Sequence, residues 1–396
     1  MTLFGLLKIS EKFVISKLKS LKKGNLKLIN YDGKVYHFGD LENSLTTDIQ
    51  INNPKFYLNI ILGGSSALGE AHINKDFYSS NLTDLIELTA RNIMLIYSFS
   101  GSVKLQFIKN ILKRIFVSNT KAKSLKYISK HYDLGNDFFA NWLDKTLTYS
   151  SAIYERSDDN LETAQKNKYQ KLIDLLNIKN GDKVLEIGCG WGGFSEYLAK
   201  KNDVLIDCIT ISKKQYEFSK KRIFENGLNN KVNVMFLDYR DLKNKYDKIF
   251  SIEMIEAVGE QYLNQYFKTI KSSLNPGGYA AIQGITINDN LFDRYRTSED
   301  FIQKYIFPGG FLPSLNHIRK LAKNNQLQLE KINSYSEDYA KTLSDWKKNF
   351  FRAWDNIAPL GFSESFKRMW EFYLSYCEAG FKAKNIDLIQ FSMSNK

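Results

Sequence analysis

The sequence contains few cysteines and histidines, and their spacing excludes several kinds of site. Its three cysteines, Cys189, Cys208 and Cys377, show no C-x-x-C spacing. Neither a disulfide framework nor a cysteine-based zinc site is therefore expected. The four histidines lie far apart and form no H-E-x-x-H motif, so we expect no metal centre.

Long hydrophobic runs are also absent. No uninterrupted apolar segment reaches the roughly 18 residues that a membrane-spanning helix requires. The apolar stretch at residues 3–7 is interrupted by Lys8 too early for the core of a secretory signal. We therefore expect a cytoplasmic protein that contacts a membrane only from the cytoplasmic side.

The composition is that of a folded protein. Hydrophobic residues make up 43% of the chain and charged residues 25%, which excludes extensive disorder. A length of 396 residues exceeds the usual size of one domain, so two domains are expected. Aromatic residues reach 14%, a share that suits apolar pockets as well as ordinary packing.

Basic residues outnumber acidic ones by 56 to 43, which gives a formal charge of +13. Such an excess favours an anionic partner, either a nucleic acid or an acidic phospholipid surface. No zinc finger or aromatic RNA-binding motif is present, so we expect no nucleic acid and favour an anionic phospholipid membrane. A general bias toward lysine, with no anionic partner, is the alternative.

Four glycines follow a short apolar strand predicted at residues 183–187. Gly188, Gly190, Gly192 and Gly193 separate this strand from the start of a predicted helix. Glycine leaves no side chain in the way, so a cofactor that contains adenosine can lie directly against the turn. Both NAD and S-adenosylmethionine (SAM) are such cofactors.

The next predicted strand favours SAM over NAD. An NAD site needs an acidic residue at the end of that strand, where it holds the ribose hydroxyls. The only acid there, Asp207, lies inside the apolar run, whereas the strand end offers the hydroxyls of Thr210 and Ser212. Glu186, just before the glycines, can organise the loop and meet the amino group of a methionine moiety.

Strands and helices alternate through the second part of the chain, as in a parallel α/β sheet. Strands are predicted at 183–187, 203–210, 232–237, 246–252 and 279–285, and helices at 193–201, 213–226 and 260–274. Ligands bind at the carboxyl ends of such strands. One rim therefore combines the glycine loop with residues 210–215, 238–240 and 252–256.

The first part of the chain has a different pattern. Residues 1–30 show apolar positions with lysines between them, typical of a basic amphipathic helix that docks on lipid or on its own domain. Alternating segments between residues 27 and 62 predict hairpin strands, and residues 84–115 predict helices. The basic stretch 104–130 is interpreted as a linker that also has the charge to meet lipid headgroups.

Several motifs from residue 125 to the end resemble the cyclopropane-fatty-acyl-phospholipid synthase family. They are His131-Tyr132-Asp133-Leu134-Gly135-Asn136-Asp137-Phe138-Phe139, Leu147-Thr148-Tyr149-Ser150, the glycine loop, Ile209-Thr210-Ile211-Ser212-Lys213-Lys214-Gln215, Glu256-Ala257-Val258-Gly259, Tyr305-Ile306-Phe307-Pro308-Gly309-Gly310 and Tyr376-Cys377-Glu378-Ala379-Gly380-Phe381. The resemblance implies a doubly wound, Rossmann-like SAM-dependent methyltransferase sheet. We assign it to residues 119–396, and residues 1–118 to a smaller mixed α+β domain for lipid contact or dimerisation.

The implied reaction transfers a methylene group from SAM to the cis double bond of an acyl chain in a membrane phospholipid. By resemblance, the SAM contacts are Tyr149, Ser150, Gly188, Gly190, Thr210, Ser212 and Gln215. Their places beside the strand ends add Glu186, Gly192 and Asp238 as candidate cofactor-binding residues. The family resemblance also implies a homodimer on the inner membrane surface.

Ring closure requires a base, because methyl transfer leaves a carbocation that must lose a proton. By resemblance, Glu256 orders a bicarbonate ion that acts as this base, Tyr339 also holds the ion, and the backbone of Ile285 is a further contact. His131 is interpreted as ordering the segment over the cofactor rather than transferring protons.

Two positions depart from the family's pattern. Ser151 replaces a cysteine, and Gln283 replaces a histidine. Serine and glutamine can hydrogen-bond an oxyanion, but glutamine cannot titrate near neutral pH. Cyclopropanation is our first hypothesis, and methylation of the chain without ring closure is the near alternative. A SAM enzyme for a soluble substrate, a non-catalytic lipid-binding relative and an NAD enzyme are further alternatives.

Overall fold

The computed structural model describes residues 2–39, 45–99, 121 and 134–396. These residues form two compact units. Residues 2–39 and 45–99 group with Arg294–Ile306 and Ile357–Asn385, and the rest of the described chain forms the second unit. The boundary at residue 118 stays a prediction, and it did not anticipate the two later segments that belong to the first unit.

The first unit contains a four-stranded sheet. Its strands are β1 (Asn25–Ile29), β2 (Val35–Gly39), β3 (Thr46–Ile51) and β4 (Phe77–Tyr78), in the order β2-β1-β3-β4. The predicted hairpin of β1 and β2 is present as an antiparallel pair. The expectation of strands as far as residue 62 is wrong at its end, because Lys55–Ile73 is helical with a break at Gly64.

The second unit contains a seven-stranded sheet. Its strands are β5 (Lys183–Ile187), β6 (Leu205–Thr210), β7 (Val232–Phe236), β8 (Tyr246–Ile252), β9 (Leu274–Ile287), β10 (Gln328–Ser334) and β11 (Ile386–Ser394). They follow the order β10-β11-β9-β8-β5-β6-β7. The run from β9 to β7 is parallel, whereas β11 pairs antiparallel with β9 and β10. The chain crosses from one side of β5 to the other, which is where such sheets bind ligands.

The helices of the described residues include all those that the sequence predicted around the glycine loop. They are Leu3–Leu18, Lys55–Ile73, Leu82–Arg91, Ile93–Tyr97, Asn136–Ala140, Leu161–Asp174, Gly193–Lys201, Lys213–Glu225, Ile255–Val258, Leu263–Ser273, Asp289–Arg296, Leu315–Asn324, Ser336–Arg352, Trp354–Ile357 and Glu364–Lys382. The helices predicted at 84–115 are described as far as residue 99, and the last described helix of this region ends at Tyr97. The basic stretch 104–130 lies outside the described residues except for Lys121. None of the described helices is long and apolar enough to cross a membrane.

The core beside the glycine loop is built mainly from aliphatic and aromatic side chains. Val184, Ile206 and Phe250, from three neighbouring strands, are fully or almost fully buried together. Leu172 and Phe194 bring the helices Leu161–Asp174 and Gly193–Lys201 into the same cluster. Burial of such side chains contributes roughly 1.5–3 kcal/mol each, so the strand ends that carry the site rest on a rigid support.

Candidate active site

The glycine loop begins where β5 ends and has backbone angles that suit glycine. Gly188 has φ +82° and Gly190 has φ +54°, both in the left-handed region. A Cβ at residue 188 would lie 3.0 Å from Cγ of Met254, whereas one at residue 190 would meet nothing within 4 Å. Gly192, with φ +80°, caps the helix Gly193–Lys201. The loop is therefore shaped for close approach of a ligand to its backbone.

Glu186 connects the end of β5 to the helix that follows the loop. Its Oε2 accepts a hydrogen bond from the hydroxyl of Ser195. Burial raises the pKa of Glu186 to about 7, against the opposing effects of the Ser195 hydroxyl and the charge of Lys168. The side chain thus links β5 to the helix after the loop, and its predicted contact with the methionine moiety of SAM remains a prediction.

The end of β6 presents three buried polar side chains that bind one another. The hydroxyl of Thr210 donates to Oε1 of Gln215 at 3.0 Å. The backbone N–H of Gln215 donates to the hydroxyl of Ser212, which caps the helix Lys213–Glu225. All three are less than 10% exposed. The structure therefore brings together three of the residues predicted to contact SAM.

The position of Asp207 in β6 distinguishes between NAD and SAM as candidate cofactors. Asp207 lies within β6, where it accepts hydrogen bonds from Asn233 and Tyr246, so it is not placed to hold a ribose at the strand end.

Asp238 follows β7 and forms an ion pair with Arg240 at 2.6 Å. Burial opposes ionisation of Asp238, but its hydrogen bonds to Arg240 prevail and lower its pKa.

Aromatic rings surround Tyr149 in the second unit. The centroid of its ring lies 5.2 Å from that of Phe139, 5.6 Å from that of Trp142 and 5.3 Å from that of Trp346. Phe139 also lies 5.1 Å from Trp191, the aromatic residue of the glycine loop. These aromatic rings thus place Tyr149, a predicted SAM contact, beside the glycine loop. The faces of aromatic rings attract positive charge.

Glu253, directly after β8, is surrounded by hydrogen-bond donors. Its Oε1 accepts from the backbone N–H of Ser151 at 2.8 Å and from Nε2 of Gln283 at 2.7 Å. Its Oε2 accepts from the hydroxyl of Tyr339 at 2.5 Å. We call these three groups the donor cage. The residue keeps some exposed surface.

The backbone and the charge of Glu253 are both unusual. Its φ of +50° lies in the left-handed region, which costs a non-glycine residue on the order of 1 kcal/mol. Burial raises the pKa of Glu253, while the hydroxyl of Tyr339 and the charge of Lys168 act in the opposite direction. Such strain persists only where the surroundings hold the residue, and it concentrates at functional sites.

Glu256 lies one helical turn further, in the short helix Ile255–Val258. Its Oε1 accepts from the backbone N–H of Ile285, while its buried Oε2 has no hydrogen-bond partner among the described residues. Burial and then the negative charge of Glu253 raise the pKa of Glu256 to about 8. A buried carboxylate oxygen that receives no hydrogen bond from the protein is typical of a group that binds a substrate or accepts a proton.

Sequence reasoning missed two ionisable side chains of this site. Glu253 belongs to the predicted rim segment 252–256, but only Glu256 was singled out there. Lys168, on the helix Leu161–Asp174, is fully buried and donates to the hydroxyl of Ser150 at 2.7 Å. Burial lowers the pKa of Lys168 to about 7. No local motif marks this lysine, because its partners lie on other elements.

The predicted catalytic residues divide into three groups. Ser151, Gln283 and Tyr339 meet at Glu253, and Ile285 meets Glu256. The hydroxyl of Ser151 points away, toward the carbonyl of Ala152, so only its backbone N–H takes part. His131 lies outside the described residues.

These residues do not fit a bound bicarbonate ion. The predicted donors to the ion contact protein carboxylates instead: Ser151, Gln283 and Tyr339 donate to Glu253, and the backbone N–H of Ile285 donates to Glu256. The neighbouring carboxyl groups of Glu253 and Glu256 also oppose the entry of a further anion. The glycine loop, in contrast, fits SAM, because the open space at Gly190 and the polar cluster after β6 leave a cradle for adenosine.

The parallel sheet, the glycine loop and the hydroxyl-bearing end of β6 define a SAM-dependent methyltransferase. The family described as mycolic acid cyclopropane synthetase matches residues 119–391. The chain belongs to this family, which confirms the predicted resemblance and fold class.

Two curated relatives are equally similar to the chain. Tuberculostearic acid methyltransferase UfaA1 of Mycobacterium tuberculosis is 34% identical, over 83% of this chain and 79% of its own. Cyclopropane-fatty-acyl-phospholipid synthase of Escherichia coli is 34% identical, over 89% of both chains. Mycolic acid cyclopropane synthase CmaA1, solved with SAH and CTAB, superposes with a TM-score of 0.64 at 28% identity, over 68% of this chain and 98% of its own.

Proposed function

We propose that the protein transfers a methyl carbon from SAM to the cis double bond of an unsaturated acyl chain in a membrane phospholipid and closes a cyclopropane ring. The observation that carries the proposal is the placement of two carboxyl groups with raised pKa values, Glu253 and Glu256, directly after β8, on either side of Met254, whose side chain lies against Gly188 of the glycine loop. A carbocation needs nearby negative charge and a base, and this site supplies both. The family and the relative from Escherichia coli support the proposed chemistry.

The chain's own residues have three tasks in this reaction. SAM supplies an electrophilic methyl group when it is bound. The loop and the polar cluster after β6 hold SAM in place. The methyl group and the double bond therefore react at close range and do not depend on random collision. The rings around Tyr149 exclude water and stabilise positive charge on the acyl chain. The resemblance assigns proton removal to bicarbonate, but the donors that would hold it contact Glu253, so bicarbonate is left out of the proposed reaction.

Product analysis tests this function. The purified protein is incubated with vesicles of unsaturated phospholipid and SAM labelled with ¹³C at the methyl group, and the acyl chains are examined by NMR and mass spectrometry. We expect the label in a cyclopropane ring. Label in an exocyclic methylene group would refute ring closure, and no label in lipid would refute the function itself.

Methylation without ring closure is a second candidate function. It is favoured by the relative UfaA1, a methyltransferase whose name refers to tuberculostearic acid, which is as similar to this chain as the cyclopropane synthase. The replacement of the pattern's histidine by Gln283 favours it as well. The same experiment identifies it by label in a methyl branch or a methylene group.

We also propose that the protein binds the cytoplasmic surface of an anionic membrane, as a homodimer. The helix Leu3–Leu18 supports membrane contact, because Val14 and Leu18 are buried within its own unit while Phe4 is 72% and Ile9 56% exposed. The charge of +13 favours anionic lipid. The dimer rests on the family resemblance alone, and light scattering of the purified protein tests it.

Vesicle sedimentation tests the membrane contact. Replacing Phe4 and Ile9 by serine removes exposed apolar surface without touching the buried side of the helix, so we expect weaker binding to anionic vesicles. Phe224→Ser is a matched control, since Phe224 is 70% exposed in the other unit. Equal binding of both variants and the unmodified protein would contradict the assignment of this helix.

A further inference from the structure

The donor cage around Glu253 has the composition of an oxyanion site. A backbone N–H, an amide N–H and a hydroxyl converge on one carboxylate, at 2.8, 2.7 and 2.5 Å. Such a set of donors holds a planar, negatively charged group of three or four atoms, and both a bicarbonate ion and a carboxylate match that description. In this chain the carboxylate belongs to the protein.

The surroundings fix the orientation of the amide donor, Gln283. Oε1 of Gln283 accepts from Nε2 of Gln390 at 2.9 Å, so its amide nitrogen must face Glu253. Gln283 and Gln390 are direct neighbours across β9 and β11. The backbone N–H of Glu253 in turn donates to the carbonyl of Gln283 at 2.8 Å. Gln283, which replaces the histidine of the family's pattern, is therefore oriented to donate to the carboxylate of Glu253.

The position of Glu253 brings it to the cofactor rim. Ser251 and Ile187 are paired in register on β8 and β5, so Glu253 follows β8 where the glycine loop follows β5. The neighbouring Met254 is the side chain that a Cβ at Gly188 would touch. The backbone of Glu253 tolerates a left-handed conformation to keep the carboxylate in this place.

We propose that the carboxylate of Glu253 takes the place of bicarbonate and is the base of the reaction, an inference that rests on the proposed function. The π electrons of the alkene form a bond to the methyl carbon, and the S–C bond breaks with its electrons left on sulfur. Glu253 accepts a proton from the transferred methyl group, whose C–H electron pair closes the ring. The products are the cyclopropane lipid, SAH and a proton that passes to water.

The charges of Lys168 and Glu256 also act on this carboxylate. The charge of Lys168 favours the ionised form of Glu253, whereas Glu256 disfavours ionisation of both glutamates at once. The pair therefore holds one negative charge most readily, which leaves one glutamate able to accept a proton.

The test compares the unmodified protein with two variants of Glu253 and one control variant, with and without added bicarbonate, in buffer freed of carbon dioxide. We expect the unmodified protein to convert lipid at the same rate in both conditions. Glu253→Gln should lose at least 100-fold in turnover, the usual order of magnitude for a general base, and still bind SAH. Glu253→Gly, which suits the left-handed backbone and vacates the donor cage, should regain turnover when bicarbonate is added.

The outcomes separate the inference from the function. Strict dependence of the unmodified protein on bicarbonate, or full activity of Glu253→Gln, would overturn the role of Glu253 while leaving the proposed function intact. Failure of the unmodified protein to label lipid under any condition would overturn the function. Glu225→Gln is the matched control, because Glu225 is 59% exposed on a helix of the same unit and should behave like the unmodified protein.

Discussion

Replacing Glu256 by glutamine should stabilise the protein at alkaline pH while removing its activity. Burial and the charge of Glu253 raise the pKa of Glu256 to about 8 from an ordinary value of 4.5. At 1.36 kcal/mol for each tenfold change in proton affinity, the ionised side chain costs up to about 5 kcal/mol of folding free energy. The folded-state pKa is raised, so this cost is absent below pH 4.5, grows as the pH rises, and is complete above about pH 8.

The glutamine variant removes that cost and keeps an acceptor for the N–H of Ile285. Urea unfolding of both proteins at several pH values should therefore show a small difference near pH 5 and a larger one, of up to about 5 kcal/mol, near pH 9. SAH binding should be retained and lipid turnover lost. A free energy of unfolding that differs by the same amount at every pH would refute the reasoning. Glu225→Gln, at an exposed position, is the control and should show no such pH dependence.

Three further predictions concern the cofactor loop and the donor cage. Gly188→Val places a side chain against Met254 in the left-handed region, so SAH affinity measured by calorimetry should fall at least about tenfold, and unchanged affinity would remove the loop from the site. Tyr339→Phe deletes a hydrogen bond to Glu253 worth roughly 1.5–3 kcal/mol, so turnover should fall about 10–100-fold with SAH affinity unchanged; loss of both would indicate misfolding instead. Lys168→Met removes a charge that lowers the pKa of Glu253, so the acidic limb of the pH–rate profile should move to higher pH, and a move to lower pH would contradict this electrostatic role.

The elements around the cofactor loop were predictable from the sequence because their signals are local. The strand at 183–187 matches β5, and the predicted helices at 193–201 and 213–226 match Gly193–Lys201 and Lys213–Glu225 to within one residue. Apolar periodicity and capping residues such as Ser212 lie within each segment. The last parallel strand was predicted too short, at 279–285, since β9 extends over Leu274–Ile287.

The assembly of the donor cage around Glu253 was not predictable from local sequence signals, because its members come from distant parts of the chain. Ser151, Gln283 and Tyr339 are separated from Glu253 by 102, 30 and 86 residues. Only the pairing of strands and the packing of the helix Ser336–Arg352 bring them together. The left-handed backbone of Glu253 has no signal either, because glutamate does not favour it. Sequence reasoning recognised the donors from the family resemblance and missed the carboxylate that they hold.

The most direct test of the account follows a fully deuterated methyl group from SAM into phospholipid. The purified protein is incubated with vesicles of unsaturated phospholipid, and the acyl chains are analysed by mass spectrometry and NMR. The account predicts a cyclopropane whose added carbon has lost one deuteron to the base. Formation of SAH with no deuterium in the acyl chains would contradict it.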